Sequence, residues 1–275
     1  MFGTATKTQL GFWPTGLLPQ PVIPLGFRTG DKGTQTSRTM MLNELTTVLT
    51  ATQRGAKRAD YTEAIIASNC LAKPTASTRR LTNQRLGELY ALDPTVPLFR
   101  ILRSLWEIDQ LGRPLLAVLV ALARDPLFMA TASSVIPLPD GAEFLRDPMT
   151  QALRSCVGSR LNDSILDKVV RNASSSWTQS GHLVGRTFKR RRHVSATSAA
   201  VTFALYIAYY AGFRGSELLT SGWINVLDCG GSAARDLAFA AKRQGLLDLR
   251  IAGDVVEVSF GRLESLSRRA VDGAH

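Results

Sequence analysis

The sequence predicts a mainly α protein: a multi-helix bundle with helix-turn-helix-like elements and a small C-terminal β-hairpin. Three observations predict it. Apolar residues recur at i, i+3 and i+4 through most of the chain after residue 36. One late segment alternates apolar and polar residues around a Gly-Asp turn dipeptide. With 45% hydrophobic and 20% charged residues, 275 positions can also bury a sizeable core, which excludes disorder throughout.

Residues 1–36 carry Pro14, Pro19, Pro21 and Pro24 among six glycines and show no sustained period, so they read as an extended or disordered leader. Proline interrupts each apolar piece, and no signal peptide is expected. Met40-Met41 open the first helical pattern and leave a start downstream of Met1 as an alternative. Met41, Leu45 and Leu49 recur every four residues. Residues 60–69 and about 75–90 follow as two helices separated by Cys70-Leu-Ala-Lys-Pro74, with Thr75 or Ser77 as the second N-cap. Leu98, Ile101, Leu102, Leu105 and Trp106 form the next stripe. Pro114 then opens ten residues apolar on every face, too few to cross roughly 30 Å of hydrocarbon and therefore a central buried helix. Further helices are expected at 147–158, 163–178, 195–212, 215–227 and 233–245. A hairpin pairs 247–252 with 255–260, Val255 and Phe260 helping to cover the core, though the alternation leaves the buried face undecided. The expected organisation is the leader, an N-terminal helical domain over 37–158 containing the helix-turn-helix-like segment 60–90, a C-terminal helical domain over 159–262 containing the hairpin, and a tail over 263–275.

Three widely spaced cysteines and three histidines exclude a disulfide framework and a zinc finger. Charge is the remaining signal. The net charge of +11 is concentrated: residues 54–85 carry seven Lys and Arg against two acids, and residues 154–192 carry nine against two, with an acidic segment between them. A polyanionic partner is implied.

In the first basic stretch, a helical wheel puts Arg79, Arg80, Asn83 and Gln84 on one side and Leu81, Leu89 and Leu92 on the other. Arg suits guanine and Asn or Gln suits adenine in a major groove. Lys73, Thr75 and Ser77 at the helix start are expected to hold phosphate. In the second stretch, Ile165, Val169, Ala173 and Trp177 recur every four residues, so Trp177 reads as a core anchor. Lys168 and Arg171 lie beside that stripe. The glycine-punctuated continuation, with Arg186, Lys189, Arg190, Arg191 and Arg192, fits a wing or arm lying along phosphates. A surface helix and a solvated charge run are the alternatives at the two places.

Two catalytic patterns are incomplete. Gly212-Phe-Arg-Gly-Ser-Glu-Leu-Leu219 resembles the tyrosine-recombinase box holding a first catalytic arginine, here Arg214, yet no tyrosine and only His275 follow it. Asp254-Val-Val-Glu257 resembles a nuclease metal-binding strand without its lysine. No catalytic residue, cofactor or metal is expected. Residues 194–213 lack a formal charge and follow a basic run, the positive-inside pattern, but only six of the 20 are Val, Leu, Ile or Phe, which favours a buried helix over a membrane span.

Several strings together resemble the BrxA family of bacterial BREX phage-defence systems. They are Ser37-Arg38-Thr39, Asn69 with Lys73-x-Thr75-x-Ser77-Thr78-Arg79, Leu89-Tyr90, Pro97-Leu-Phe99, Arg113-Pro114-Leu-Leu116, Ala123-Arg-Asp-Pro126, Ser176-Trp-Thr-Gln-Ser-Gly-His-Leu183 and Gly212-Phe-Arg-Gly215. The string at 176–183 is the most specific, and the leader departs from the family pattern. The resemblance implies a mainly helical, non-enzymatic protein that binds double-stranded DNA and works with other BREX proteins, a methyltransferase among them. Members also carry an inner-membrane label, which the uncharged segment would explain. The expectation is thus a cytoplasmic DNA-binding component without a small-molecule substrate. A single-pass inner-membrane protein anchored by 194–213 and a protein-only scaffold are the alternatives.

Overall fold

A computed structural model describes residues 10–14, 20–30, 32–253 and 255–272. Twelve α-helices and two antiparallel two-stranded sheets lie among them. After two 3-10 turns, Gln20–Leu25 and Thr34–Thr36, come α1 (Leu42–Ala51), α2 (Arg58–Ile66), α3 (Ala76–Tyr90), α4 (Pro97–Ile108), α5 (Arg113–Arg124), α6 (Pro126–Thr131) and α7 (Arg146–Val157). The chain continues through α8 (Asp163–Gln179), β1 (Leu183–Val184), β2 (Arg190–Arg191) and α9 (Ser198–Tyr210). It closes with α10 (Gly222–Asn225), α11 (Gly231–Arg243), β3 (Asp248–Ala252), β4 (Val255–Ser259) and α12 (Gly261–Asp272).

The centre is built from the two most apolar helices. Every residue from Leu115 to Arg124 of α5 is buried, as is Ala199 to Ala208 of α9, and the two helices pack against each other. No single helix among the described residues is long and apolar enough to cross a membrane, although α5 and the segment 126–134, bent by 109°, pass that test as a pair on length and composition. The α4 helix packs on α5, α9 and α12. One continuous apolar cluster runs from Phe12 to Leu263, so the expected division at 158/159 falls inside a shared core, where α7 packs against α8.

Several described parts of the leader depart from the expectation. Phe12 and Phe27 are buried, the Trp223 indole N–H donates to the Phe12 carbonyl at 2.9 Å, and Phe12 and Phe27 both pack edge-on against the Trp223 ring. The Gly222 N–H donates to the Gly11 carbonyl at 2.7 Å, an approach that a Cβ on Gly222 would block at 2.9 Å. That contact also divides the expected helix over 215–227, leaving a 3-10 turn at Gly215–Thr220, an extended Ser221 and the short α10. The leader is held again at Asp125, which accepts from the backbone N–H of Thr34 and Gln35 with one oxygen and caps α6 through Phe128 N with the other. Burial pushes the Asp125 carboxyl up to about 6 despite these donors.

Residues 263–272, expected as tail, form most of α12. Leu263 and Ser267 are fully buried, and Glu264 accepts from the Tyr210 hydroxyl at 2.6 Å. The C-terminal hairpin has the expected boundaries to within a residue, with Leu249 opposite Val258 and Ile251 opposite Val256. Its buried face is Leu249, Val256 and the following Phe260, whereas Val255 is 61% exposed and covers no core. Asp254 in its turn lies outside the described residues.

The 176–183 string is a structural knot. Ser176 Oγ accepts from Met40 N at 2.8 Å, and Trp177 is fully buried with its N–H on Thr131 Oγ1. Gln179 accepts from Leu42 N and donates to Thr39 Oγ1. The helix then stops at Gly181, whose φ of +89° suits glycine. His182 is fully buried, with Nε2 2.6 Å from the Val226 carbonyl and Nδ1 2.8 Å from Ser180 Oγ. A carbonyl can only accept, so Nε2 carries the proton and Nδ1 accepts from the serine. Burial pulls the imidazole down to about 4, which keeps it neutral.

Candidate nucleic-acid interface

The helix pair α2–α3 is rigidly set. Asp60 accepts from Lys57 N at 2.7 Å at the start of α2, and Thr75 caps α3 by accepting from Thr78 N at 3.1 Å. The turn between them uses left-handed backbone at Asn69 and Ala72, and Asn69 Oδ1 accepts from Lys73 N at 2.8 Å. The far end of α3 is closed by arginines from three separate places. Arg58 of α2 donates to Ala91 O, Arg124 of α5 to the Gly87 and Glu88 carbonyls, and Arg28 of the leader to Glu88 O. Cations at a helix C-terminus satisfy its free carbonyls and complement its dipole. Burial lowers Arg124 to about 10, with the charges of Arg28 and Arg58 adding to the effect.

The outward face of α3 is rotated from the expected one by about a residue. Thr82, Leu86, Leu89 and Tyr90 are buried. Arg79 turns inward and donates to Ile66 O at 2.8 Å, closing the end of α2, and Asn83 is half-buried. Ser77, Arg80 and Gln84 are exposed, and they are joined by Leu81, expected on the apolar side but 37% exposed. Gln84 Nε2 donates to Glu88 at 3.0 Å. Thr75 is exposed at the helix start, while Lys73 is half-buried and paired with Glu44 of α1 at 3.1 Å. Arg79 is therefore withdrawn from the set of candidate base contacts.

The second stretch folds as α8 followed by a hairpin. The stripe on α8 is shifted: Leu166 is buried where Ile165 is 39% exposed. Lys168 and Arg171 face outward, with Arg171 paired to Asp167 at 3.1 Å. Leu183 and Val184 pair with Arg191 and Arg190, and the chain reverses through Gly185, whose φ is +103°. A Cβ on Gly185 would lie 2.1 Å from Phe188 O, so only glycine closes this turn. Arg186, Thr187 and Phe188 project from the tip, Phe188 with 79% of its surface exposed. Lys189 is half-buried and donates to Thr178 Oγ1 at 2.8 Å; burial lowers its pKa.

Strand alternation then sorts the arginines. Arg190 and Arg192 are exposed, but Arg191 is 1% exposed and forms a buried ion pair with Asp228, with its Nε on Val135 O at 3.0 Å. The second Asp228 oxygen accepts from Val194 N at 2.8 Å. Arg191 is thus a structural tie between the hairpin and the turn that follows α10, not a phosphate contact. Between the hairpin tip, α7 and α8 lies a cleft of about 570 Å3 lined by Leu145, Arg146, Arg171, Arg186, Phe188 and Lys189, among others.

The two basic surfaces are connected by direct contacts. Lys189 binds Thr178; the next residue, Gln179, binds Leu42 N; two residues along α1, Glu44 pairs with Lys73; and Thr75 follows at the start of α3. Hairpin and α3 N-terminus therefore flank one short span of protein. Sequence reading missed Phe188 and Leu145, two exposed apolar side chains among cations. The only signal for Phe188 is its place between glycine-punctuated basic residues.

The pattern resembling a recombinase box has a structural use, since Arg214 stacks on Tyr209 with 4.0 Å to the ring centroid and donates to the Tyr209 and Phe213 carbonyls. Among the described residues no group of His, Cys, Asp and Glu is placed to hold a metal ion. Comparison with protein-family models, with curated proteins and with solved structures finds no match.

Proposed function

We propose that this chain binds double-stranded DNA without catalysing a reaction, as a cytoplasmic component of a BREX-type phage-defence system that works with the other proteins of that system. One observation carries the DNA reading: the hairpin, through Lys189, and the start of α3, through Lys73, lie at the two ends of one short path of contacts. The link to the defence system rests on the resembling strings. Arg80, Asn83 and Gln84 would face base edges, Thr75, Ser77 and Lys73 a phosphate at the start of α3, and Arg186, Lys189, Arg190 and Arg192 the adjacent backbone, with Lys168 and Arg171 beside them.

A mobility-shift titration with a generic duplex tests the reading. For about five phosphate contacts, affinity is expected to fall roughly 500-fold between 50 and 200 mM salt. Binding that is absent, or indifferent to salt over that range, would leave the protein-only scaffold as the better account.

A further inference from the structure

A third group of cations, which Arg54 of the first basic stretch shares with Arg103 and Arg113, lines a cleft of about 560 Å3 between the α1–α2 loop and the α4–α5 corner. Its lining includes Thr50, Arg54, Arg103, Trp106, Glu107 and Arg113, so three guanidinium groups share it with one carboxylate. Glu107 is already paired with Arg103, one helical turn away. Arg103 also donates to Thr52 O at 3.0 Å, and Arg113 donates to Trp106 O at 3.0 Å while lying over the Trp106 ring at 5.4 Å. Arg54 and Arg103 also line, with Tyr61, a separate void of about 10 Å3. Burial lowers Arg103 against an opposing charge interaction and hydrogen bond with Tyr61, and the charges of Arg54 and Arg113 add smaller effects in the lowering direction. Like charges gathered in a partly desolvated site oppose folding unless an anion joins them.

We propose that this cleft binds the phosphoryl group of a small soluble ligand, either inorganic phosphate or the phosphate chain of a nucleotide. A dianion matches the excess of two positive charges, and tetrahedral oxygens suit guanidinium forks arriving from different directions. The cleft volume lies within the range of roughly 300–1,000 Å3 typical of small-ligand sites. Arg103 is 5% exposed, which places it beyond the reach of a phosphate on the outside of a rod-like duplex. The site goes beyond the DNA reading and does not depend on it.

The test uses the full chain, with thermal melts and calorimetric titrations of inorganic phosphate and of ATP at ionic strength held constant with chloride. A saturable rise in melting temperature is expected, and Arg54→Gln should weaken binding about tenfold or more. Without ligand, Arg54→Gln should melt at or above the wild-type temperature, because it removes a like charge; a merely structural arginine would give the opposite. Arg113→Gln provides a second variant, and Arg103 is left intact because it is buried. No saturable effect of either ligand, or an effect undiminished in both variants, overturns the proposal. Duplex affinity that falls tenfold in Arg54→Gln while phosphate and ATP do nothing would also overturn it, by assigning the phosphoryl group to a nucleic-acid backbone.

Discussion

The helix-borne and hairpin-borne basic stretches treat their arginines in the same way by different geometry. In α3 the 3.6-residue period sends Arg79 inward and Arg80 outward. In β2 and the residue after it, the two-residue period sends Arg191 inward between Arg190 and Arg192. Each inward arginine ties two elements together, and each outward one is left for a ligand. The ties differ in depth. Arg79 is half-buried on a carbonyl, whereas Arg191 is fully buried on a carboxylate, so its loss strands a charge on Asp228. A net charge of +11 therefore overstates what either surface can offer to phosphate.

The largest expected effect separates alternate residues of one run. Arg191→Met should destabilise the fold by about 3–5 kcal/mol, the usual result of removing one partner of a buried pair. The double substitution of Arg190 and Arg192 by Ala should stay within about 0.5 kcal/mol of wild type and lower duplex affinity. Urea denaturation and mobility shift on the two proteins check both halves. Wild-type stability in Arg191→Met would erase the distinction between inward and outward cations.

His182 anchors the base of the hairpin, and its titration should be visible in stability. Its folded pKa is near 4, below the ordinary imidazole value, so in mildly acid solution the unfolded chain binds a proton that the native state does not. Its stabilising contribution is complete above pH 6.5 and is lost as pH falls from there toward 4, on the order of 3 kcal/mol. Asp125, raised to about 6, acts with the opposite sign between about 4 and 6, its native state holding the extra proton. The measurement is therefore a difference: wild type minus His182→Gln, by denaturant titration at several pH values. A difference that does not shrink toward acid would show that His182 is not held neutral.

A smaller effect distinguishes the neighbours on α3. Arg79→Ala should cost about 1–2 kcal/mol, since it opens the carbonyl end of α2, and change duplex affinity little once the protein is folded. Arg80→Ala should do the reverse, leaving stability unchanged and weakening binding several-fold. Equal effects of the two on DNA would mean that the outward face includes position 79 after all.

Local signals explain why so much of the helical framework was legible in the sequence. Thr75, Pro97, Pro114 and Gly181 sit at helix ends where capping chemistry puts them, and the C-terminal hairpin follows from alternation around one turn dipeptide. What escaped depends on partners far along the chain. Nothing near Arg191 announces Asp228, and nothing near Phe12 announces Trp223. The wheel placed Arg79 outward because polarity was its only guide; the free carbonyl of Ile66, available only once α2 has ended, draws the side chain in. The arginine cleft escaped for the same reason, its members lying on a loop and two helices.

The smallest effect concerns the residue that most distinguishes the hairpin from α3. Leu81 on α3 is partly covered, but Phe188 has 79% of its surface exposed between Arg186 and Lys189. An aromatic ring in that position has no folding reason to be there, because exposing it to water gains nothing for the native state. At a nucleic acid it has two uses, either as a wedge between base pairs in a minor groove or as a surface on which an unpaired base stacks. Phe188→Ala should therefore leave urea stability within about 0.5 kcal/mol of wild type and cost about 1 kcal/mol in duplex affinity. Phe188→Leu separates the two uses, since an aliphatic wedge still unstacks a base step whereas a stacking platform requires the ring. Binding restored by Leu, with bending of a doubly labelled duplex retained, would mark a wedge; binding weak in both variants, with the wild type preferring a gapped or single-stranded substrate, would mark a platform. Unchanged affinity in Phe188→Ala would take the hairpin tip off the DNA and leave its cations as the only part of that surface to act there.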